Sequence, residues 1–292
     1  MTGLAPIDGV AVLAVFAKAM GYGAALLAMG SVLFTFVFAS RAEPEVLRLA
    51  RRVAVGAALL GLMVLAIRFG IRAARISGMG LEGATDPMML GFVWHSPLGT
   101  AAIWRGLGEV AILALFLPGI GRWIALAGSL AVAISYTQVG HTLGDPRVPL
   151  VALLTLHLLT AAFWVGALIP LRRATRSPDG ADLLHSFGVI AAYAVGLLVA
   201  AGVALSWLLS GSLPALLGTA YGWVLLTKVS LVTGLLGLAA LNKWRLVPAL
   251  RSGDAMATAK LRRSISIEMA FVVLILLVTA TITSVTTPPL NL

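Results

Sequence analysis

The sequence contains about eight apolar stretches of roughly 18–28 residues, each long enough to cross a hydrocarbon core of about 30 Å. The expected spans are residues 9–39, 53–74, 98–117, 122–139, 148–171, 183–209, 219–241 and 264–284. Because only helices and closed barrels satisfy their backbone in lipid, this pattern predicts an all-α, polytopic membrane helical bundle of about eight transmembrane helices. The connections are short, so residues 1–292 are expected to form a single integral-membrane domain.

Basic residues lie almost entirely on one side of these spans. If the N-terminus is outside, the outer connections hold only Arg72, Arg75 and Arg147, against fourteen Lys and Arg residues in the inner connections. Because cytoplasmic loops are enriched in Lys and Arg, both termini are predicted to be periplasmic. The fourteen inner residues are Arg41, Arg48, Arg51, Arg52, Arg122, Arg172, Arg173, Arg176, Lys243, Arg245, Arg251, Lys260, Arg262 and Arg263.

Composition excludes a large soluble domain, since 60% of residues are hydrophobic, 11% are charged and the mean hydropathy is +1.02. The longest polar segments are the connections near 75–97 and 242–263. The net charge of +10 is explained by attraction of the basic inner connections to anionic inner-leaflet lipid rather than by nucleic acid, because the basic residues flank the spans. The first apolar run has no basic segment before it and no convincing cleavage site, which predicts a retained span rather than a signal peptide.

The chain contains no cysteine, which excludes disulfides, thiolate metal sites, iron–sulfur clusters and cysteine-based catalysis. Any site for a soft metal must therefore use Met sulfur and His nitrogen. No Walker sequence, H-E-x-x-H or G-x-S-x-G occurs, so the sequence predicts neither an ATP-driven pump nor a hydrolase, and we do not expect an enzyme.

Methionine and histidine residues are concentrated in the outer connections. The connection before the third span carries Met79, Met88, Met89 and His95, and the one after the fourth span carries His141. Thioether and imidazole together suit copper, as Cu(I) or Cu(II) and especially as Cu(I). The alternative is that these side chains are incidental, because Met is also a common filler of cores and lipid-facing surfaces.

His157 is the sharpest single candidate for a metal ligand. It lies about ten residues into the fifth span, hence roughly 15 Å deep at 1.5 Å per residue. An ionisable group at that depth normally faces the bundle interior and marks a functional site. Helical spacing places Thr160 and Trp164 on its face, so the alternative is a structural His–Trp packing pair or a bond to a neighbouring helix. His185, near the inner end of the sixth span, is either an exit site or an ordinary interfacial histidine.

Charged residues inside the spans form a second group of candidates. Arg105 and Glu109 are four residues apart on the third span and are expected to neutralise each other. Lys18 and Lys228 lie near mid-membrane and each need a carboxylate, carbonyl or water partner, while Glu268 lies near the inner end of the eighth span. These groups either support an ion path or form structural pairs that fix the helix register.

Several motifs resemble the copper resistance protein D (CopD) family. The most specific block runs from Tyr221-Gly222 through Lys228 to Asn242 and Pro248. The supporting stretches are Ser96-Pro-Leu-Gly99 through Trp104-Arg105, Gly140-His141, His157 through Trp164-Val-Gly166, and Leu261 through Glu268 followed by Thr287-Pro288-Pro289. The resemblance extends over nearly the whole chain.

The resemblance implies a bacterial inner-membrane protein that imports copper from the periplasm. It also implies a periplasmic β-sandwich copper-binding partner of the CopC type, which is expected to act in trans because no such domain precedes Asp8. One departure concerns the opening of the sixth span, where a basic-Phe-Ser pattern is expected and the chain has His185-Ser186-Phe187.

The leading hypothesis is a copper permease without its own energy source. Outer Met and His ligands would collect the ion, His157 would receive it near mid-membrane, and the inner half would release it. One alternative is a membrane haem or electron-transfer protein with His pairs as axial ligands, of which His141 with His157 is the most plausible pair. Another is a non-transporting assembly factor that delivers copper to a periplasmic acceptor.

Overall fold

The computed structural model describes residues 8–210 and 217–285, except for the side chains of residues 141, 209 and 210. Within these ranges the regular structure is entirely helical, which confirms the all-α prediction. The helices are α1 Gly9–Val37, α2 Pro44–Ser77, α3 Pro87–Trp94, α4 Pro97–Leu113, α5 Gly121–Ser135, α6 Arg147–Ala174, α7 Gly180–Ser210, α8 Ala220–Leu241, α9 Val247–Arg251 and α10 Ala257–Val285.

Seven of the described helical segments are long and apolar enough to cross a membrane. They are α1, α2, α4 with its extension to Phe116, α6, α7, the continuous segment Ala220–Arg251, and α10. These segments make the chain a multi-pass membrane protein, and they coincide with seven of the eight expected spans.

The remaining expected span, 122–139, is a shorter helix. α5 has 15 residues and is followed by the 3-10 turn Tyr136–Gln138. Near the start of α5 the ring of Trp123 lies 4.7 Å from that of Phe36, and beyond its end the Tyr136 hydroxyl donates to the carbonyl of Gly21 at 3.4 Å. α5 therefore runs antiparallel to α1 over about 22 Å. Its crossing of the membrane, and with it an eighth span and two periplasmic termini, stays a prediction.

Both long polar connections are more helical than expected. In the first, the 3-10 segment Gly80–Thr85 and helix α3 fold back against the end of α2. In the second, α8 continues through a π-helical turn, Asn242–Leu246, into α9. Pro248 causes no break there because it lies in the first turn of α9, where the missing N–H is tolerated. The expected connection 242–263 is therefore wrong in extent, and only residues 252–256 link α9 to α10.

Glycine contacts bring the central helices unusually close. A Cβ added to Gly166 on α6 would overlap the backbone of Gly30 on α1, and a Cβ on Gly108 of α4 would lie 2.7 Å from the carbonyl of Gly128 on α5. Such contacts are how membrane helices gain packing energy where lipid removes the hydrophobic driving force between them. They hold α1 and α6 at the centre of the bundle, with α2, α4 and α5 on one side and α7, α8 and α10 on the other.

One end of the bundle gathers residues from three of the four expected inner connections. Arg173 pairs with Glu45 at 2.6 Å, and Arg251 pairs with Asp182 at 2.9 Å. Arg172 donates to the hydroxyl of Ser266 at 2.9 Å. We call this end, defined by these residues, the basic end. Its placement in the cytoplasm is what the charge asymmetry predicts.

Candidate functional site

His157 lies on α6 with its imidazole against α7. Its Nδ1 lies 3.3 Å from the carbonyl oxygen of Leu198, which is a hydrogen bond when Nδ1 carries the proton. In a neutral imidazole this tautomer leaves the lone pair of Nε2 free, the same arrangement that orients histidine ligands in metalloproteins. The expected alternative, a bond to a neighbouring helix, is therefore present.

The space for this imidazole is provided by a glycine. A Cβ added at Gly202 on α7 would lie 3.3 Å from His157 Cε1 and 3.5 Å from Nδ1. Lys228 on α8 is the charged side chain whose field acts on His157. Among the described residues Lys228 has no hydrogen-bond partner, so the expected partner is not found there.

Trp164 lies two helical turns further toward the basic end and bonds to a different helix. Its indole Nε1 donates to Glu268 Oε2 on α10 at 3.3 Å. The side-chain amide of Asn242, at the start of the π-helical turn, donates to Glu268 Oε1 at 2.5 Å. All three side chains are buried. Trp164 therefore fixes a carboxylate between α6, α8 and α10.

Two buried oxygens in this region lack a partner among the described residues. They are Oδ1 of Asn242 and Oγ of Ser264, and Ser264 lies one helical turn before Glu268 on α10. A buried oxygen without a donor is costly, so each marks a position where a water molecule or a cation would be stabilised. Buried polar groups of α10 and of the π-helical turn therefore lie in the inner half of the bundle.

The outer Met and His candidates lie on the segment that folds back on α2. Met88 on α3 is 67% exposed, and His95, seven residues later, is the exposed C-cap residue of that helix. Met79 is exposed in the turn after α2, and the backbone N–H of Met89 is bonded by the carboxylate of Asp86. Three sulfurs and an imidazole thus share one short, ordered segment.

The structure does not bring the predicted ligands into one metal site. Among the described side chains, no three His, Asp or Glu residues are grouped so as to hold a metal ion. His95 follows α3, which packs on α2 and α4, whereas His157 packs on α7. The side chain of His141 lies outside those described. His185 is exposed near the basic end, and the 13 residues that separate it from Leu198 place it about 20 Å from His157 along α7.

The expected ion pair between Arg105 and Glu109 is not formed. Arg105 Nε instead donates to the hydroxyl of Ser135 on α5 at 2.9 Å, and its guanidinium lies 3.7 Å from the centre of the Tyr136 ring. In the described part of the chain the ion pairs within 4.0 Å are those of the basic end. The prediction failed because helical spacing permits a pair but does not exclude a competing partner on another helix.

Lys18 has the kind of partner that its depth requires. Its ammonium donates to the backbone carbonyl of Thr283 on α10 at 2.5 Å. The hydroxyl of Tyr22, one turn later on α1, is 3.0 Å from the hydroxyl of Thr283. These contacts join α1 and α10 at the end opposite the basic end.

Sequence reasoning missed the residues that position these side chains. Asn242 belongs to the most specific family block, so the resemblance singled it out without giving its role. Gly202, Ser135 and Tyr136 had no signal of their own, because each acts through a neighbour on another helix.

Comparison with known proteins gives matches in both halves of the chain. A family described as "Copper resistance protein D-like, N-terminal domain" matches residues 7–146, and the family "Copper resistance protein D" matches residues 181–282. A protein of Bacillus subtilis (strain 168) named "Copper transport protein CutJ" is 26% identical over 93% of this chain and 52% of its own length. The chain thus spans about half the length of that curated relative, and no solved structure matches it. The two matched regions are joined by α6, which packs on both α1 and α7. The chain belongs to the copper resistance protein D family.

Proposed function

We propose that this protein transports copper ions across the bacterial inner membrane, from the periplasm to the cytoplasm, without catalysing a covalent step. Two kinds of observation support the proposal. The chain has seven helices of membrane-spanning length and belongs to a copper resistance family, and a relative over most of this chain is named a copper transport protein.

The observation that carries the proposal is the orientation of His157. A bond from Nδ1 to the Leu198 carbonyl leaves Nε2 available, and partial burial between α6 and α7 disfavours the charged imidazolium. A neutral imidazole held in the bundle interior is suited to receive a copper ion. A single imidazole holds copper weakly, which matches the requirement that a transported ion must also leave.

Lys228 is expected to weaken copper binding at His157 further. A cation near His157 repels a copper ion and so lowers the affinity of the site. The ion is therefore expected to pass His157 rather than to remain there.

The polar groups on either side of His157 suggest an order of events. The exposed Met79, Met88 and His95, together with the partly buried Met89, would collect the ion, delivered by a periplasmic copper-binding protein of the CopC type acting in trans. On the other side, the oxygens around Glu268 would stabilise the cation on its way to the basic end, where His185 is exposed.

Copper uptake into proteoliposomes tests the proposal. Liposomes that contain the purified protein should accumulate more copper than protein-free liposomes. Uptake is measured in parallel with and without a proton gradient. Runs with ascorbate, which supplies Cu(I), and without it identify the transported oxidation state. Copper bound to the protein but not accumulated in the lumen would contradict transport and favour the assembly-factor alternative. A haem absorption band in the visible spectrum would favour the electron-transfer alternative.

A further inference from the structure

Glu109 is a buried carboxyl group that the proposed copper path does not use. It is 1% exposed, and its Oε2 has no hydrogen-bond partner among the described residues. Its carboxyl group lies against Gly61 of α2, where an added Cβ would be 2.6 Å from Glu109 Cδ. The absence of a side chain at Gly61 therefore leaves the space that the carboxyl group occupies.

The charged groups around Glu109 are all cationic. Arg105 on its own helix and Arg68 on α2 are the two whose fields reach it. Lys18 is the only charged residue of α1, and its ammonium is bonded to α10. Arg122, at the start of α5, is the only charged residue of α5. None of the described Lys or Arg nitrogens lies within 4.0 Å of the carboxyl group of Glu109.

An ionised carboxylate in this position would be buried without a direct donor at Oε2. Burying an uncompensated charge is far less favourable than burying a protonated carboxyl group. The guanidinium of Arg105 could neutralise an ionised Glu109, because Arg105 is four residues before Glu109 on the same helix. In this structure Arg105 is held by Ser135 and Tyr136 instead.

We propose that Glu109 is a proton-binding site, and that loss of its proton transfers Arg105 from Ser135 and Tyr136 to an ion pair with Glu109. The carboxylic acid releases one proton and becomes a carboxylate, while the guanidinium keeps its charge. The two groups then have opposite charges at the spacing of an i, i+4 pair.

The exchange alters contacts between three helices. Arg105 connects α4 to α5 through Ser135, and Tyr136 connects α5 to α1 through the Gly21 carbonyl. The Tyr136 ring also packs 5.5 Å from that of Tyr22, which contacts Thr283 of α10. Proton release at Glu109 would therefore loosen the junction of α1, α4 and α5 at the end opposite the basic end.

Infrared spectroscopy of the purified protein in lipid tests the site directly. Near neutral pH, exposed carboxyl groups are ionised, so the carbonyl stretch of a protonated acid reports on buried groups. The wild-type band should be lost, wholly or in part, in Glu109→Gln. It should be unchanged in Glu82→Gln, which alters an exposed glutamate. An unchanged band in Glu109→Gln would overturn the proposal.

A second variant tests the exchange while Glu109 remains in place. Ser135→Ala removes a partner that holds Arg105 while Glu109 is protonated. The substitution should therefore shift the equilibrium about tenfold toward ionised Glu109. At the pH where the wild-type Glu109 band has half of its full intensity, the band of the variant should have about one tenth of its full intensity.

Ser129→Ala is the matched control, because this buried serine of α5 bonds only within its own helix, to the carbonyl of Ala125. An equal band in Ser135→Ala and wild type would overturn the exchange. These measurements contain no copper, so they are independent of whether the protein transports it.

Discussion

The indole N–H of Trp164 on α6 donates to the carboxylate of Glu268 on α10, across 104 residues of sequence. Asn242 donates to the other oxygen of the same carboxylate. Trp164, Asn242 and Glu268 come from three separate stretches that resemble the copper resistance protein D family, and the fold brings them into contact. Three stretches of this chain that carry the resemblance therefore contribute to one buried polar cluster.

Replacing Trp164 by Phe should destabilise the protein by about 1–3 kcal/mol, because Glu268 Oε2 would remain buried without its donor. The measurement is the free energy of unfolding of the protein in detergent. Trp207→Phe is the matched control, since this indole is 60% exposed on α7. If both substitutions had the same effect, the bond to Glu268 would not contribute to stability.

Replacing Gly202 by Ala should reduce copper uptake several-fold even at saturating copper. The added methyl group would lie 3.3 Å from His157 Cε1, so the imidazole must shift and its bond to Leu198 must lengthen. Stability should be maintained, because Ala is the better helix former.

Gly196→Ala provides the control for this uptake measurement. This glycine lies on the same helix, and an added Cβ would meet nothing within 4 Å. Uptake should equal that of the wild type in this variant. A loss shared by both variants would assign the effect to α7 as a whole rather than to His157.

The helices could be predicted from sequence because span length and apolarity are local properties. The ends of α2 and α4 are likewise local, since Gly78 takes a positive φ of 68° after α2 and Ser96 caps α4. The continuation of α8 into α9 could not be predicted, because a π-helical turn has no local composition that distinguishes it from a polar connection.

The partners of the buried polar groups were less predictable. The depth of Lys18 predicted a carbonyl or carboxylate partner, and the carbonyl of Thr283 is one, but nothing in the sequence identified Thr283. Arg105 shows the reverse case, in which an obvious partner four residues away is replaced by Ser135 on another helix. Such choices depend on how helices are packed, which the pattern of one chain does not record.

Replacing Met79, Met88 and Met89 together should weaken copper uptake mainly at low copper concentration. A collection site raises the local concentration of the ion and matters least when the ion is abundant. The measurement is the concentration dependence of uptake, with Met20, Met63 and Met256 replaced together as the control, since these are exposed, as Met79 and Met88 are, but lie elsewhere. An equal loss at saturating copper would show that the outer methionines act in passage rather than in capture.

Reporter fusions test the topology, including the crossing by α5. Fusions at Ser177 and Gly253 should report the cytoplasm, and a fusion after Leu292 should report the periplasm. Fusions at Gly119 and Gly144, on either side of α5, should report opposite compartments. If the last two reported the same side, α5 would not cross and the predicted positions of the termini would be wrong.

The most direct test of the proposed transport is copper uptake by His157→Ala in proteoliposomes at saturating copper, with matched amounts of folded protein. The account predicts that uptake falls to the level of protein-free liposomes, because the imidazole held between α6 and α7 would be gone. His185→Ala, which changes an exposed histidine near the basic end, should reduce uptake only in part. Full uptake by His157→Ala would contradict the mid-membrane relay and leave His157 a packing role.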